Sequence, residues 1–259
     1  MFAQLGHLLV NKIFMLENEV LCDLMCEGLV CLQKKDGYKI TTDSVLLANF
    51  VKCKKDEIGL EVCSGSGVIS ILVNAKQHPK SIKLVEIQPE LAIMCGRTLR
   101  INGIKNLSVM CCDLRDYALI EDEHKFDFVI ANPPYFKAGK GRLPKSEEKI
   151  HAKFETKLNL DSCVSSIAKL IKAGGRLYMV YTSSRLDELK EVLKLHEFCV
   201  SKMAMVKVSK NKPHHIVLIE AFYKENCQTK LLEDVIINDE NGKFTKQYAD
   251  IYNGQYLWS

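Results

Sequence analysis

The chain has 259 residues and a net charge of +4, with 47% hydrophobic and 26% charged residues. That length suits one or two domains able to bury a core without disulfide or metal staples, and the composition is that of an ordinary globular protein. The charge is too mild to establish a polyanionic partner by itself, and no apolar run approaches the roughly eighteen residues of a membrane span.

From residue 58 onward, short apolar runs alternate with amphipathic ones. Ile58 to Val62 reads as a buried strand, and Val68 to Gln77 as a helix stopped by His78-Pro79. Ile82 to Glu86 reads as a second strand. Pro89 to Asn102 reads as a helix, with proline in its first turn and Gly103 just past its end. Leu107 to Met110 and Phe126 to Ala131 are the third and fourth strands. Leu160, Cys163, Val164, Ile167 and Ile171 share one helical face, and Gly174-Gly175 is expected to end that helix. Leu177 to Tyr181 is a fifth strand. Ser184 with Asp187 reads as a capping box for a helix burying Leu186, Leu189 and Leu193. Phe198 to Val208 and Ile216 to Tyr223 close the series as a pair of strands. Such alternation implies an α/β fold, a mostly parallel sheet covered on both faces, with ligands bound outside the carboxyl ends of the strands.

The N-terminus is apolar (Phe2, Leu5, Leu8, Leu9, Val10), but Asn11 and Lys12 interrupt it. It lacks the basic flank and cleavage site of a signal peptide. Eleven cysteines are scattered without a CxxC pair, which reads as reduced thiols used as small core residues in a cytoplasmic protein. Cys22, Cys26 and Cys31 match no standard zinc spacing, so no metal is expected.

Three consecutive strand ends carry polar residues of one kind of site. The first strand runs into Glu61-Val62-Cys63-Ser64-Gly65-Ser66-Gly67, where glycine permits a tight turn and close backbone approach to a ligand. The second ends in Glu86, nineteen residues past Gly67, placed to accept hydrogen bonds from ribose hydroxyls. Asp113 follows the third strand and can meet the amine of an adenine ring. No Gly-Lys-Ser/Thr follows the glycines, which excludes a P-loop, whereas NAD remains a competitor up to this point.

The fourth strand separates the two readings, because it ends in Asn132-Pro133-Pro134-Tyr135. Two prolines stiffen the turn and present the Asn132 carboxamide and nearby carbonyls as fixed acceptors. A tyrosine ring stands beside them. This suits a planar, conjugated NH2 group, whose lone pair is freed for attack when two acceptors hold its hydrogens.

Asn132-Pro133-Pro134-Tyr135 resembles motif IV of the amino-methyltransferases, and Glu61 to Gly67, Glu86 and Asp113 resemble their cofactor motifs. Asp36 to Leu47 resembles the upstream motif of the bacterial tRNA(Val) adenine-N6-methyltransferase family. Asn238 to Tyr248 resembles the carboxyl-terminal signature of its close homologues. The resemblance implies a Rossmann-like class I methyltransferase sandwich with a seven-stranded sheet, its last strand antiparallel. It implies S-adenosyl-L-methionine as cofactor, held by Tyr38, Thr42, Asp43, Glu61, Cys63, Gly65, Gly67, Glu86, Ile87, Asp113, Leu114 and Asn132. Asn132, Pro133 and Tyr135 would serve the chemistry. The family usually has glycine at the position of Cys63, so the turn could differ here. The expected organisation is a single domain, with an extension over 1–27, a core over 28–224 and a tail over 225–259.

Six basic residues (Lys137, Lys140, Arg142, Lys145, Lys149, Lys153) against Glu147 and Glu148 follow the catalytic turn. Lys137, Lys140 and Arg142 are expected to contact substrate RNA, with tRNA favoured. Lys202, Lys207, Lys210 and Lys212, with His214 and His215, form a second basic run. Two other functions fit part of the pattern. One is a glutamine-N5 methyltransferase acting on a release factor, although that family has a helical domain where this chain has Tyr38 to Leu47. The other is a non-catalytic RNA-binding homologue, which intact Asn132, Glu86 and Asp113 argue against.

Overall fold

The computed structural model describes residues 15–36, 39–135 and 158–253. A hairpin of β1 (Glu19–Asp23) and β2 (Val30–Lys34) precedes α1 (Thr42–Phe50). Then β3 (Ile58–Val62), α2 (Val68–Gln77), β4 (Ser81–Glu86), α3 (Pro89–Ile101) and β5 (Leu107–Cys111) alternate, followed by α4 (Leu114–Ile120) and β6 (Phe126–Ala131). The later elements are α5 (Leu160–Leu170), β7 (Ile171–Thr182), α6 (Leu186–Leu195), β8 (Phe198–Ser209), β9 (His214–Tyr223), β10 (Lys230–Leu231), β11 (Val235–Asn238) and α7 (Lys246–Tyr252).

The sheet order is β5-β4-β3-β6-β7-β9-β8, parallel except for β9, which runs antiparallel to both β7 and β8. The chain moves outward from β3 to β5, then returns to the other side of β3 as β6. The crevice at that reversal is where ligands bind in such sheets. Leu60, Val62, Leu84, Val129 and Ile130 are essentially inaccessible, because helices cover both faces and each strand is apolar on both sides. One core layer joins α1, α2 and α3 to the sheet, and the other joins α4, α5 and α6.

The expected seven strands are present in the expected arrangement, but among the described residues the sheet has nine. β8 is twelve residues long and would present a bare outer edge. β10 pairs with it at Lys202–Met203 and β11 further along at Val206–Ser209, both parallel. The two short strands thus cover amides and carbonyls that would otherwise be open to other chains.

Local differences have specific causes. Gly174-Gly175 does not end a helix: α5 stops at Leu170 and β7 begins at once. The glycines lie instead in a register shift between β6 and β7, with Gly174 at φ +74°. A Cβ on Gly175 would approach the Lys172 carbonyl to 2.7 Å, so this irregularity needs a residue without a side chain. Ser184 makes no capping box; it sits in a 3-10 turn, Ser183–Arg185, bonded to Thr182 at 3.1 Å. Cys199 and Cys227 form a disulfide joining β8 to the segment before β10, with Cα atoms 5.9 Å apart. The other nine cysteines are free thiols, so the expectation of reduced cysteines fails for this one pair, which the return of the chain along β8 brings together.

The hairpin docks on α3. Leu32 packs with Leu91, Met94 and Ile101, and Arg97 pairs with the buried Glu19 at 2.7 Å. At the other end, α7 lies against α1, with Tyr248 and Ile251 in the core. The Ile251 side chain is fully buried, so Ile251→Ala should lower the unfolding free energy by about 2–5 kcal/mol. Urea denaturation measures this; a loss below about 0.5 kcal/mol would show α7 to be loosely attached.

Candidate active site

The turn after β3 packs three left-handed residues into five positions: Cys63 at φ +55°, Gly65 at +56° and Gly67 at +77°. The Ser64 amide donates to the Val85 carbonyl at 3.1 Å, and the Gly67 amide to the Ser64 carbonyl at 2.8 Å. At Gly67 a Cβ would meet the Cys95 sulfur at 2.6 Å and Leu84 at 2.9 Å, so both conformation and space demand glycine. At Gly65 a Cβ would meet nothing within 4 Å. The turn opens there onto a cleft of about 920 Å³ including its mouth.

Two buried carboxylates hold the turn. Glu86, at the end of β4, accepts the Gly65 amide at 2.7 Å and the Gln88 amide at 2.9 Å. Glu61 lies beneath the turn and accepts the Ser70 amide at 3.0 Å. Burial pushes its carboxyl up to about 8, against the lowering effect of its bonds to Ser70, and nearby Glu86 adds to the rise. Asp113 caps α4 through the Arg115 amide at 2.8 Å and also accepts from the Arg115 guanidinium at 2.6 and 3.0 Å.

Across the cleft stands the end of β6. The Asn132 carboxamide nitrogen donates to Ser44 of α1 at 3.4 Å, and the residue lines the cleft. The Tyr135 hydroxyl donates to Asp43 at 2.6 Å, and its ring meets Tyr181 edge-on at 5.8 Å. Arg185 donates to the Tyr135 carbonyl at 2.9 Å, is held by Glu188 at 2.6 and 2.8 Å, and lies over the Tyr181 ring. The rigid Pro-Pro turn is therefore fastened by α1 on one side and by the β7–α6 connection on the other.

The residues from 37 to 198 match the family model of the methyltransferase small domain. This chain belongs to that family. A tRNA1(Val) (adenine(37)-N6)-methyltransferase of Shewanella halifaxensis is 24% identical over 71% of this chain and 74% of its own length. One from Bacteroides fragilis is also 24% identical, over 83% of this chain and 92% of its own. Among solved structures, a predicted O-methyltransferase, protein Atu636 from Agrobacterium tumefaciens, superposes with a TM-score of 0.67 at 16% identity, covering 83% of this chain and 98% of that one. M. jannaschii TYW2, solved in complex with AdoMet, gives 0.55 at 14% identity over 81% and 88%. At such identities the two structures speak for the fold.

Of the residues expected from sequence, this methyltransferase brings Cys63, Gly65, Glu86, Ile87, Asp113, Leu114 and Asn132 to one cleft. Glu61 and Gly67 shape the turn from below and do not line it. Thr42 faces a separate concavity, and Asp43 accepts the Tyr135 hydroxyl; neither Asp43, Pro133 nor Tyr135 lines the cleft itself. Tyr38, Lys137, Lys140 and Arg142 lie outside the described residues. Ile40, Ser44, Ser64, Gln88 and Pro134 also line the cleft and were not anticipated. Each lies within two residues of an anticipated one, but which side chain turns inward depends on backbone torsions that no spacing reveals. Of the second basic run, Lys202 pairs with Glu220, and Lys207 and His214 with Asp234. Lys210 and Lys212 remain exposed, in the turn before β9.

A glycosylated adenine on a cationic sulfur would fit these groups. A carboxylate offers about four acceptor directions, enough for Glu86 to bond two amides and ribose hydroxyls together. The Ser64 hydroxyl is buried at the cleft without a hydrogen-bond partner, and Glu86 and Asp113 supply negative charge.

Two tests follow from the turn. Below pH 4.5 Glu61 is neutral folded and unfolded; between 4.5 and about 8 the folded form keeps a proton that the unfolded form releases. Its contribution to stability is therefore lost as pH rises through that window. Glu61→Gln keeps an acceptor for Ser70, so it should raise the melting temperature more at pH 8 than at pH 5. An equal shift at both would show that Glu61 does not titrate in this way. At position 63 the left-handed backbone costs an ordinary residue about 1–2 kcal/mol, and a β-branched one more. Cys63→Gly should stay within about 1 kcal/mol of the parent in denaturant unfolding, whereas Cys63→Val should lose more than about 2.

Proposed function

We propose that this methyltransferase transfers a methyl group from S-adenosyl-L-methionine to the N6 amine of an adenine in RNA, with tRNA the favoured substrate, in the cytoplasm. The observation that carries the reading is the Asn132 carboxamide, anchored through its nitrogen by Ser44 at 3.4 Å on the cleft also lined by Glu86 and Asp113. The tRNA(Val) methyltransferases named above support the choice of amine and of RNA.

When bound, S-adenosyl-L-methionine supplies an electrophilic methyl group on a sulfonium sulfur. Glu86 would hold its ribose, Asp113 the edge of its adenine, and the turn from Cys63 to Ser66 the remainder. The Asn132 oxygen and a carbonyl of the Pro133-Pro134 turn would accept the two hydrogens of the target amine, turning its lone pair toward the cofactor. Tyr135 would stack on the target base, its own position set by Asp43 and Arg185. No strong base is needed, because the amine becomes acidic once it is methylated and releases its proton to water.

Lys137, Lys140 and Arg142 would contact the RNA backbone. Lys210 and Lys212 would add to them, since the turn before β9 stands at the carboxyl end of β7, the end that also carries the Ser183–Arg185 connection.

The decisive measurement is methylation of fractionated RNA and of release-factor protein with labelled cofactor, followed by nucleoside mass spectrometry. N6-methyladenosine in RNA is the expected product, and label confined to protein glutamine would overturn the reading. Two variants should then fail in opposite ways. Asn132→Ala should slow single-turnover methylation by on the order of 100-fold while changing cofactor affinity only a few-fold. Glu86→Ala should raise the cofactor dissociation constant at least about tenfold, the effect of one lost charge-assisted hydrogen bond.

A further inference from the structure

A second concavity lies beside the cleft and shares Ile40 and Val68 with it as a common wall. Val45 of α1 and Leu72 of α2 give it an apolar base, β1 and β2 contribute Cys22 and Gln33, and α7 contributes Tyr248 and Tyr252. The two tyrosine rings are 6.2 Å apart and tilted by 49°. Tyr248 is buried and bonded to Thr42, whereas Tyr252 is exposed.

Gln33 is the group that lacks an explanation. It is only 4% exposed, and its amide oxygen accepts the Cys22 thiol at 3.1 Å. Its amide nitrogen is buried without a hydrogen-bond partner. A buried donor left unpaired is costly, and native proteins rarely keep one without a use. Among the described residues, the lining includes no lysine, arginine or histidine, and Asp23 is its one charged side chain. That chemistry turns away phosphates and carboxylates. It suits an uncharged planar heterocycle that offers an acceptor to Gln33 and a face to tyrosine.

We propose that this concavity holds a nucleobase of the substrate RNA other than the one methylated. The proposal rests on the reading of the substrate as RNA. A base seated there would touch the Ile40 and Val68 side chains that also wall the cofactor cleft, so RNA and cofactor would each alter the other's affinity by the same factor. A free nucleoside has the same chemistry as a base within RNA, and the test separates the two.

Bulk tRNA labelled with a fluorophore is titrated by anisotropy against wild type, Gln33→Leu and Tyr252→Ala, each with and without the cofactor analogue sinefungin. Both variants should bind tRNA at least about fivefold more weakly, the low end of what loss of one stacked base costs. Their cofactor affinity without RNA, and their methylation rate at saturating RNA, should stay within about twofold of wild type. Gln33→Leu should also raise the melting temperature, because the unpaired donor is gone. Should Gln33→Leu fail to fold, Tyr252→Ala decides alone, since it removes an exposed ring. Dialysis against adenosine, guanosine, cytidine and uridine runs in parallel. Unchanged tRNA affinity in the variants overturns the proposal. If free-nucleoside binding is then abolished by Gln33→Leu, the concavity serves a free nucleoside and its assignment to RNA is wrong. Wild type that neither binds nor methylates RNA overturns the proposed function, and this inference with it.

Discussion

The Glu86 carboxylate accepts the amides of Gly65 and Gln88 at 2.7 and 2.9 Å, tying the end of β4 to the turn after β3 and to the approach of α3. Two of the strand ends that line the cleft are thereby held in one frame. The turn needs such a tie, because Cys63, Gly65 and Gly67 all occupy left-handed backbone and a chain in that state gains nothing from regular hydrogen bonding. Glu61 holds it from below through Ser70. The two acids differ in what they can offer a ligand. Glu86 lines the cleft, whereas Glu61 is sealed under it, and burial drives Glu61 toward its neutral form.

The opposite wall is fixed by a different device. Proline stiffens the turn after β6 but cannot orient it, since it supplies no backbone donor. Orientation comes from outside: Ser44 holds Asn132, Asp43 holds the Tyr135 hydroxyl, and Arg185 holds the Tyr135 carbonyl. Arg185 is itself clamped by Glu188 and seated on Tyr181. A group that must be held within a fraction of an ångström benefits from neighbours that have no freedom of their own.

Much of this was legible in the sequence, and the boundary is physical. Strands β3, β4 and β6 announce themselves because they are buried on both faces and bounded by glycine, proline or acid. Helices α2 and α3 carry periodic apolar faces and recognisable ends. Helix α1 does not, because Ser44 to Phe50 is buried all round and shows no stripe to read. Strands β10 and β11 are too short for alternation, and their pairing depends on the length of β8, a property of another part of the chain. The glycines at 174 and 175 are as apt for a strand irregularity as for a helix end, and only the neighbouring β6 decides between them. In the site, Glu86, Asp113 and Asn132 follow from strand ends, but the partners that orient them lie far off in sequence: Ser44 is 88 residues from Asn132 and Arg185 is 50 from Tyr135.

The charges divide by depth. Carboxylates at Glu86 and Asp113 line the cleft, which favours a cationic cofactor and would repel the phosphates of an RNA. Lys210 and Lys212 lie outside it, on the exposed turn at the carboxyl end of the sheet, while Lys202 and Lys207 further down β8 are consumed by Glu220 and Asp234. On the proposed reading, the backbone of the substrate would be held at the rim and only a neutral base would enter the acidic interior. Within a cleft so arranged, an uncharged amide such as Asn132 is the acceptor that suits the target amine. A carboxylate in its place would bind the hydrogens more strongly, but it would add a further negative charge to a cleft already lined by Glu86 and Asp113, and like charges brought together in one site oppose one another.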